Sequence, residues 1–132
     1  MKILVMGGTR FVGKSLVGKL LNQDHDIDIF TRGNKSNPEN TNLIKGDRND
    51  IECILKLQNN KYDVIYDISG REVEQTKILI DNVADSFQRY IYVSSAGVYS
   101  ENYELPLSED SLLDPQSRHK GKFETENWLI EK

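Results

Sequence analysis

An α/β fold with a mainly parallel sheet is predicted by three features of the 132-residue sequence. Short apolar runs alternate with helix-period segments along the whole chain, the pattern that stacks helices on a parallel sheet. The first apolar run ends in the glycine-rich stretch "VMGGTRFVGKSL" at 5–16, which joins a strand to a helix. The length suits one domain, able to bury roughly two-thirds of the surface its unfolded chain exposes. Together these predict a Rossmann-like, doubly wound parallel sheet with helices on both faces. Such sheets bind ligands beyond the carboxyl ends of their strands.

The elements follow in order. "KILVM" (2–6) is a continuous apolar run and predicts a buried strand. Val12, Leu16, Val17, Leu20 and Leu21 form the stripe of an amphipathic helix. "DIDIFT" (26–31) alternates with period two and predicts a second strand, and the polar stretch 32–42, with Pro38, predicts a loop. "LIKGD" (43–47) predicts a short strand. "DIECILKLQ" (50–58) predicts a helix with Asp50 suiting the positive end of its dipole. "YDVIYDIS" (62–69) predicts a fourth strand. A helix over 72–87 carries Val73, Ile80, Val83, Ala84 and Phe87 inward, and "RYIYVSS" (89–95) predicts a fifth strand. An irregular segment (96–117) and a last helix (121–132) complete the chain.

Composition narrows the function classes. The chain has 21 acidic and 17 basic residues, a formal charge of −4. That argues against nucleic-acid binding through bulk charge, though a local basic patch is compatible with it. Cys53 is the only cysteine, so no internal disulfide forms, and a reducing, cytoplasmic compartment fits. It is read as a small core residue. No signal peptide or membrane-length apolar run is present, so no membrane partner is expected.

The glycine stretch fits two phosphate-binding patterns. From Gly8 it spells the P-loop formula G-x-x-x-x-G-K-S. From Gly7 it spells G-x-x-R-x-x-G, a dinucleotide loop whose middle glycine is Arg10. A P-loop helix would begin near Gly13-Lys14-Ser15, whereas a dinucleotide-loop helix begins three or four residues sooner. The apolar stripe reaches back to Val12, so the helix is expected to begin near Arg10 or Phe11, which favours the dinucleotide geometry. "VIYD" (64–67) ends in an acid as a Walker B strand does, which keeps the P-loop as the alternative. A glycine turn that binds nothing is the bland one. Arg10 brings a side chain to where backbone would approach pyrophosphate. It either offers its guanidinium to phosphate oxygens or fills the ligand's place. At the end of the second strand stand Thr31 and Arg32 instead of the acid that holds the ribose of NAD. Arg32 suits a 2′-phosphate, hence NADP, or another polyanion, and also the surface arginine of no special role.

Four ordered segments resemble the extended short-chain dehydrogenases/reductases, the NAD-dependent epimerase/dehydratase superfamily: "GGTRFVG" (7–13), "KGDRND" (45–50), "RYIYVSSAGVY" (89–99) and "SRHKGKFETE" (117–126). The wording of these, with "YDISGRE" (66–72), is closer still to an atypical branch, the chloroplast stem-loop RNA-binding proteins and their cyanobacterial relatives. The resemblance spans the chain. Because such proteins run to about twice this length or more, it implies that residues 1–132 are the dinucleotide-binding domain of a longer chain, without most of the substrate lobe. It implies NAD or NADP, held weakly or lost, against Gly7, Gly8, Arg10, Phe11, Gly13, Arg32 and Asp47, the last on the adenine side. It places Ser95 at the catalytic serine position and Lys122 at the lysine of Tyr-x-x-x-Lys. Arg118 stands where the tyrosine belongs, and an arginine does not give up its proton. General acid–base help is worth about two to four powers of ten in rate, so ordinary epimerase or dehydrogenase turnover is not expected without a substitute. His119 is expected to point elsewhere, since one residue along a helix turns a side chain by about 100°. Tyr99 and Tyr103 are weaker candidates.

The resemblance further implies RNA binding and, in some relatives, metal-assisted RNA cleavage and a plastid stroma location. Arg10 and Arg118, with Arg32, Lys14, His119, Lys120 and Lys122, would make the cleft basic, the footprint of a phosphate-rich ligand. Lys14 and Lys120 are read as solvated helix positions. No metal site is evident: the two histidines, His25 and His119, are far apart in sequence. The acids Glu101, Glu104, Glu109, Asp110 and Asp114 read as a solvated loop. The substrate and the oligomeric state are left open.

Overall fold

The computed structural model describes residues 1–100 and 105–132. Five parallel strands form one sheet: β1 (Lys2–Met6), β2 (Asp26–Thr31), β3 (Asn42–Lys45), β4 (Tyr62–Asp67) and β5 (Phe87–Tyr92). Their order is β3-β2-β1-β4-β5. The winding therefore reverses between β1 and β4. The helices are α1 (Phe11–Leu21), α2 (Ile51–Leu55), α3 (Val73–Val83) and α4 (Lys120–Ile130), with 3-10 turns at Ala84–Ser86 and Ala96–Val98.

The continuous apolar run of β1 is explained by burial on both faces. Ile3, Leu4, Val5 and Met6 are all fully buried. Ile3 and Val5 pack with Val17, Leu20, Ile27 and Ile29 under α1. Leu4 and Met6 face the other way, into Phe30, Ile54, Leu57, Ile65, Leu79 and Val83 from α2, α3 and their neighbours. Each such side chain contributes roughly 1.5–3 kcal/mol over its exposed state. The alternation in "DIDIFT" has the same origin. Ile27 and Ile29 enter the first cluster, while Phe30 enters the second. Asp28 is buried and accepts a hydrogen bond from the Tyr62 hydroxyl at 2.8 Å. Burial and the nearby carboxylate push the Tyr62 phenol well above its ordinary value.

Several boundaries differ from the sequence expectation. The helix expected over 72–87 stops at Val83, whose φ of −130° leaves the helical region, and Phe87 already belongs to β5. The buried side of α3 is Thr76, Leu79 and Val83, whereas Ala84 is exposed. Glu72 and Gln75 close its start as a capping box. β4 ends at Asp67 and β5 at Tyr92, both earlier than expected. Val12 is not on the inner stripe of α1. It is 61% exposed, and the buried residue beside it is Gly13, packed against the glycine loop. Cys53 is half-buried at the core's edge, and its thiol donates to Asp50 Oδ2 at 3.3 Å.

Candidate functional site

The glycine loop (7–10) connects β1 to α1 beside the β1/β4 reversal. Gly7 has a φ of +96°, a conformation that favours glycine, and its N–H is held by the Phe30 carbonyl at 3.0 Å. Gly13 is where α1 touches the loop. A Cβ there would lie 2.6 Å from the Gly7 carbonyl oxygen and 3.0 Å from Gly8 Cα. This is the close approach that the third glycine of a dinucleotide loop permits. α1 begins at Phe11, with Arg10 as its exposed N-cap residue, and no side chain caps that end. Its first-turn N–H groups and positive dipole end thus face the loop without an internal carboxylate. Lys14 and Ser15 are exposed positions inside the helix, not loop residues, so the P-loop geometry is not realised. Phe11 combines a φ of +43° with 88% exposure of the residue. Backbone strain of this kind costs on the order of 1 kcal/mol.

At the neighbouring strand ends, the Gly46 N–H donates to the Thr31 carbonyl, drawing the loops after β2 and β3 together. This brings Arg32 within electrostatic reach of Asp47. The Asn49 backbone N–H, which donates to Asp47 Oδ1 at 2.9 Å, is the main cause holding that carboxyl below its ordinary value. The Asn49 side chain, Arg32 and Arg48 add to it.

Sequence reasoning missed the charged pair beneath these loops. The Arg48 guanidinium grips the Asp67 carboxylate with both prongs, at 2.7 Å each. Asp67 is fully buried and Arg48 is 9% exposed. Burial works to raise the Asp67 carboxyl. The guanidinium, the Tyr90 hydroxyl at 2.6 Å and the Gly70 N–H at 2.9 Å outweigh it and hold the carboxyl below its ordinary range. For Arg48, burial opposes the charge and Asp67 more than restores it. The one signal in the sequence was "VIYD", an acid closing an apolar strand, where an unpaired charge is costly.

Ser95 and the Lys122 ammonium, far apart in sequence, both lie just beyond the end of β5. Ser95 Oγ accepts the Gly97 N–H at 3.1 Å and so caps the following turn. The Lys122 ammonium donates to the carbonyls of Val93 (2.7 Å) and Gly70 (2.8 Å) and lies 4.8 Å from the centre of the Tyr92 ring. Burial lowers the Lys122 pKa, and Arg48 and Arg71 lower it further, against Asp67. The expectation for His119 rested on a helix containing both 118 and 119. The helix starts only at Lys120, so that argument does not apply. The half-buried His119 ring packs against Gly97, in the turn that Ser95 caps. Its Nε2 accepts from Nε of the exposed Arg118 at 3.2 Å.

Tyr99 pairs with Leu113 in an antiparallel bridge, while Tyr103, Glu101 and Glu104 lie outside the described residues. Among the described residues no group of three His, Cys, Asp or Glu side chains is placed to hold a metal, and no helix is long and apolar enough to cross a membrane. His25 lines a groove of about 680 Å³ at the other end of α1, remote from these loops.

The sequence profile of the NAD dependent epimerase/dehydratase family matches residues 3–125. The chain belongs to that family. It is 40% identical to the chloroplast stem-loop binding protein of 41 kDa b of Arabidopsis thaliana, over 99% of this chain and 39% of that protein. It is 29% identical to a UDP-glucose 4-epimerase of Corynebacterium glutamicum, over 90% of this chain and 42% of that one. Among solved structures, the UDP-glucose 4-epimerase of Thermus thermophilus in complex with NAD superposes with a TM-score of 0.83 at 18% identity, covering 99% of this chain and 50% of that one. The chain thus spans about 40% of these curated relatives' length. The loops after β1, β3, β4 and β5 all lie at the carboxyl edge of its sheet, where open α/β sheets form their ligand crevice.

Proposed function

We propose that residues 1–132 are the dinucleotide-binding portion of an epimerase/dehydratase-family protein whose proton chemistry no longer rests on a tyrosine. The observation that carries this reading is the junction of loop and helix. Gly13 lies against the Gly7 carbonyl, a close contact of helix on loop that a Cβ at 13 would disrupt, and α1 opens uncapped at Phe11, which suits pyrophosphate oxygens. A nicotinamide dinucleotide, when bound, supplies a hydride acceptor. The residues act around it. Gly7, Gly8 and Gly13 let backbone approach the phosphates, and Arg10 and Arg32 add positive charge beside them. Asp47 serves the adenine side, and Lys122 and Ser95 stand at the other end. Arg118 holds its proton permanently and takes no part in proton transfer.

Calorimetry of NAD, NADP and ATP in one buffer tests this. Either dinucleotide should bind more tightly than ATP, and Arg32→Ala should weaken NADP more than NAD. ATP binding above both dinucleotides would refute it.

A second reading is favoured by the 40% identity to a stem-loop binding protein together with exposed guanidiniums at 10 and 118. In it, the same face takes an RNA hairpin. Each phosphate contact contributes about 0.7–0.9 to the slope of log affinity against log salt. Arg10→Ala and Arg118→Ala should each reduce the slope by about one contact. An affinity indifferent to salt would sink this reading.

A further inference from the structure

The buried ion pair is hydrogen-bonded into the loop that follows β4. Arg48 directly follows Asp47. Besides Asp67, its Nη1 donates to Ser69 Oγ at 2.9 Å. Ser69 in turn abuts the glycine loop: a Cβ on Gly7 would lie 2.8 Å from Ser69 Cβ. Asp67 Oδ1 accepts the N–H groups of Ser69 and Gly70 at 3.2 and 2.9 Å. The Gly70 carbonyl then accepts from Lys122 and, at 3.2 Å, from the Tyr92 hydroxyl. A continuous set of hydrogen bonds thus runs from the loop bearing Asp47 to the Lys122 ammonium.

Stability alone is a weak reason for such a pair, because well-packed apolar residues often replace a buried ion pair without loss. Its specific property is direction. A guanidinium fork and a carboxylate fix one another's planes, and through them the Ser69–Gly70 backbone. We propose that Arg48 is a positioning residue. Through Asp67 and Gly70 it sets where the Lys122 ammonium stands, and so joins the adenine and nicotinamide ends of the crevice. The ligand part of this statement rests on the dinucleotide reading above, while the placement of Lys122 does not.

The test is a variant that removes both charges together with the Tyr90 hydroxyl that donates to Asp67: Arg48→Met, Asp67→Leu and Tyr90→Phe in the 132-residue chain. Two readouts are taken. The first needs no ligand. In the unaltered protein the Lys122 Hε protons lie near the Tyr92 ring face and should be shifted upfield by its ring current. In the variant they should move to the position of the exposed Lys120, and the Lys122–Gly70 nuclear Overhauser contact should vanish while the fold's other contacts persist. The second is NAD affinity, expected to fall about tenfold, the usual scale for losing a hydrogen bond to a charged group. A folded variant with unchanged Lys122 resonances would overturn the proposal. Lys122 moving as expected in a protein that binds no dinucleotide even unaltered would uphold the positioning role and overturn the dinucleotide reading. Should the variant not fold, native-state hydrogen exchange on the unaltered chain decides. The Asn49, Ser69 and Gly70 amides should open with one common free energy, and a separate, easier opening of Gly70 would overturn the proposal.

Discussion

Replacing Gly13 by alanine isolates the contact on which the crevice is built. The new Cβ would sit 2.6 Å from the Gly7 carbonyl oxygen, 3.0 Å from Gly8 Cα and 3.3 Å from its carbonyl carbon. All three are backbone atoms, and the loop has little room to retreat. The Gly7 N–H is tied to Phe30, and Gly8 already lies against Val17 and Ile29. α1 must therefore tilt or the loop must shift, and such overpacking costs about 1–3 kcal/mol. Against this, alanine gains about 1 kcal/mol of helix propensity over glycine. The net expectation is a loss of up to about 2 kcal/mol, a fall in Tm of up to roughly 10 °C for a domain of this size. Gly18, in the same helix, provides the control, since a Cβ there meets no atom within 4 Å. Gly18→Ala should gain up to about 1 kcal/mol. Urea unfolding of both variants at matched m-values measures the difference, and calorimetry with NAD measures the site. Equal effects of the two substitutions, within about 0.5 kcal/mol, together with unaltered dinucleotide binding, would refute the proposed packing of helix on loop.

Three further outcomes follow from the same geometry. The Asp67 carboxyl is held below its ordinary value of 3.8 in the folded state. Its contribution is therefore complete above that pH and is lost as the pH falls toward the folded-state value. Urea unfolding between about pH 6 and pH 2 should show this decline, and a flat profile would contradict the charged pair. Tyr62→Phe removes the buried hydroxyl that donates to Asp28 and should cost about 1–3 kcal/mol. A loss below about 0.3 kcal/mol by the same assay would mean that Asp28 finds equal partners elsewhere. Gly97→Ala should drive the His119 ring off the Ser95 turn and break its hydrogen bond from Arg118. The imidazole resonances report this directly, with thermal stability changed by under about 1 kcal/mol, because the ring is the far end of a movable side chain.

The order of elements and the parallel sheet were legible in the amino-acid sequence because they follow from local signals. An apolar run such as Ile3–Met6, buried on two faces, looks the same before and after folding. The glycine loop also announced itself, and the start of α1 at Phe11 was correctly placed. The reason given for that start was only half right, since Val12 is exposed and Gly13 does the packing. The Val83–Phe87 boundary was misread because its apolar residues satisfy helical and strand periods alike. A backbone turn and the burial of Ser86 resolve that ambiguity in the structure.

Pairing across the sheet decided the rest. Arg48 and Asp67 are 19 residues apart, Lys122 and Gly70 are 52 apart, and no local pattern ties either pair. Nothing local to Arg48 points to Asp67, which the strand order β3-β2-β1-β4 brings within its reach. The helical argument about His119 does not apply because α4 begins only at Lys120, and side-chain direction depends on where a helix begins. The sequence by itself thus determined which segments become strands and helices and where the glycine loop lies, because hydrophobic period and glycine geometry act over a few residues. Tertiary structure alone decided which charges are buried together and where Lys122 points, because a buried ion is tolerated only where a distant part of the chain supplies its partner.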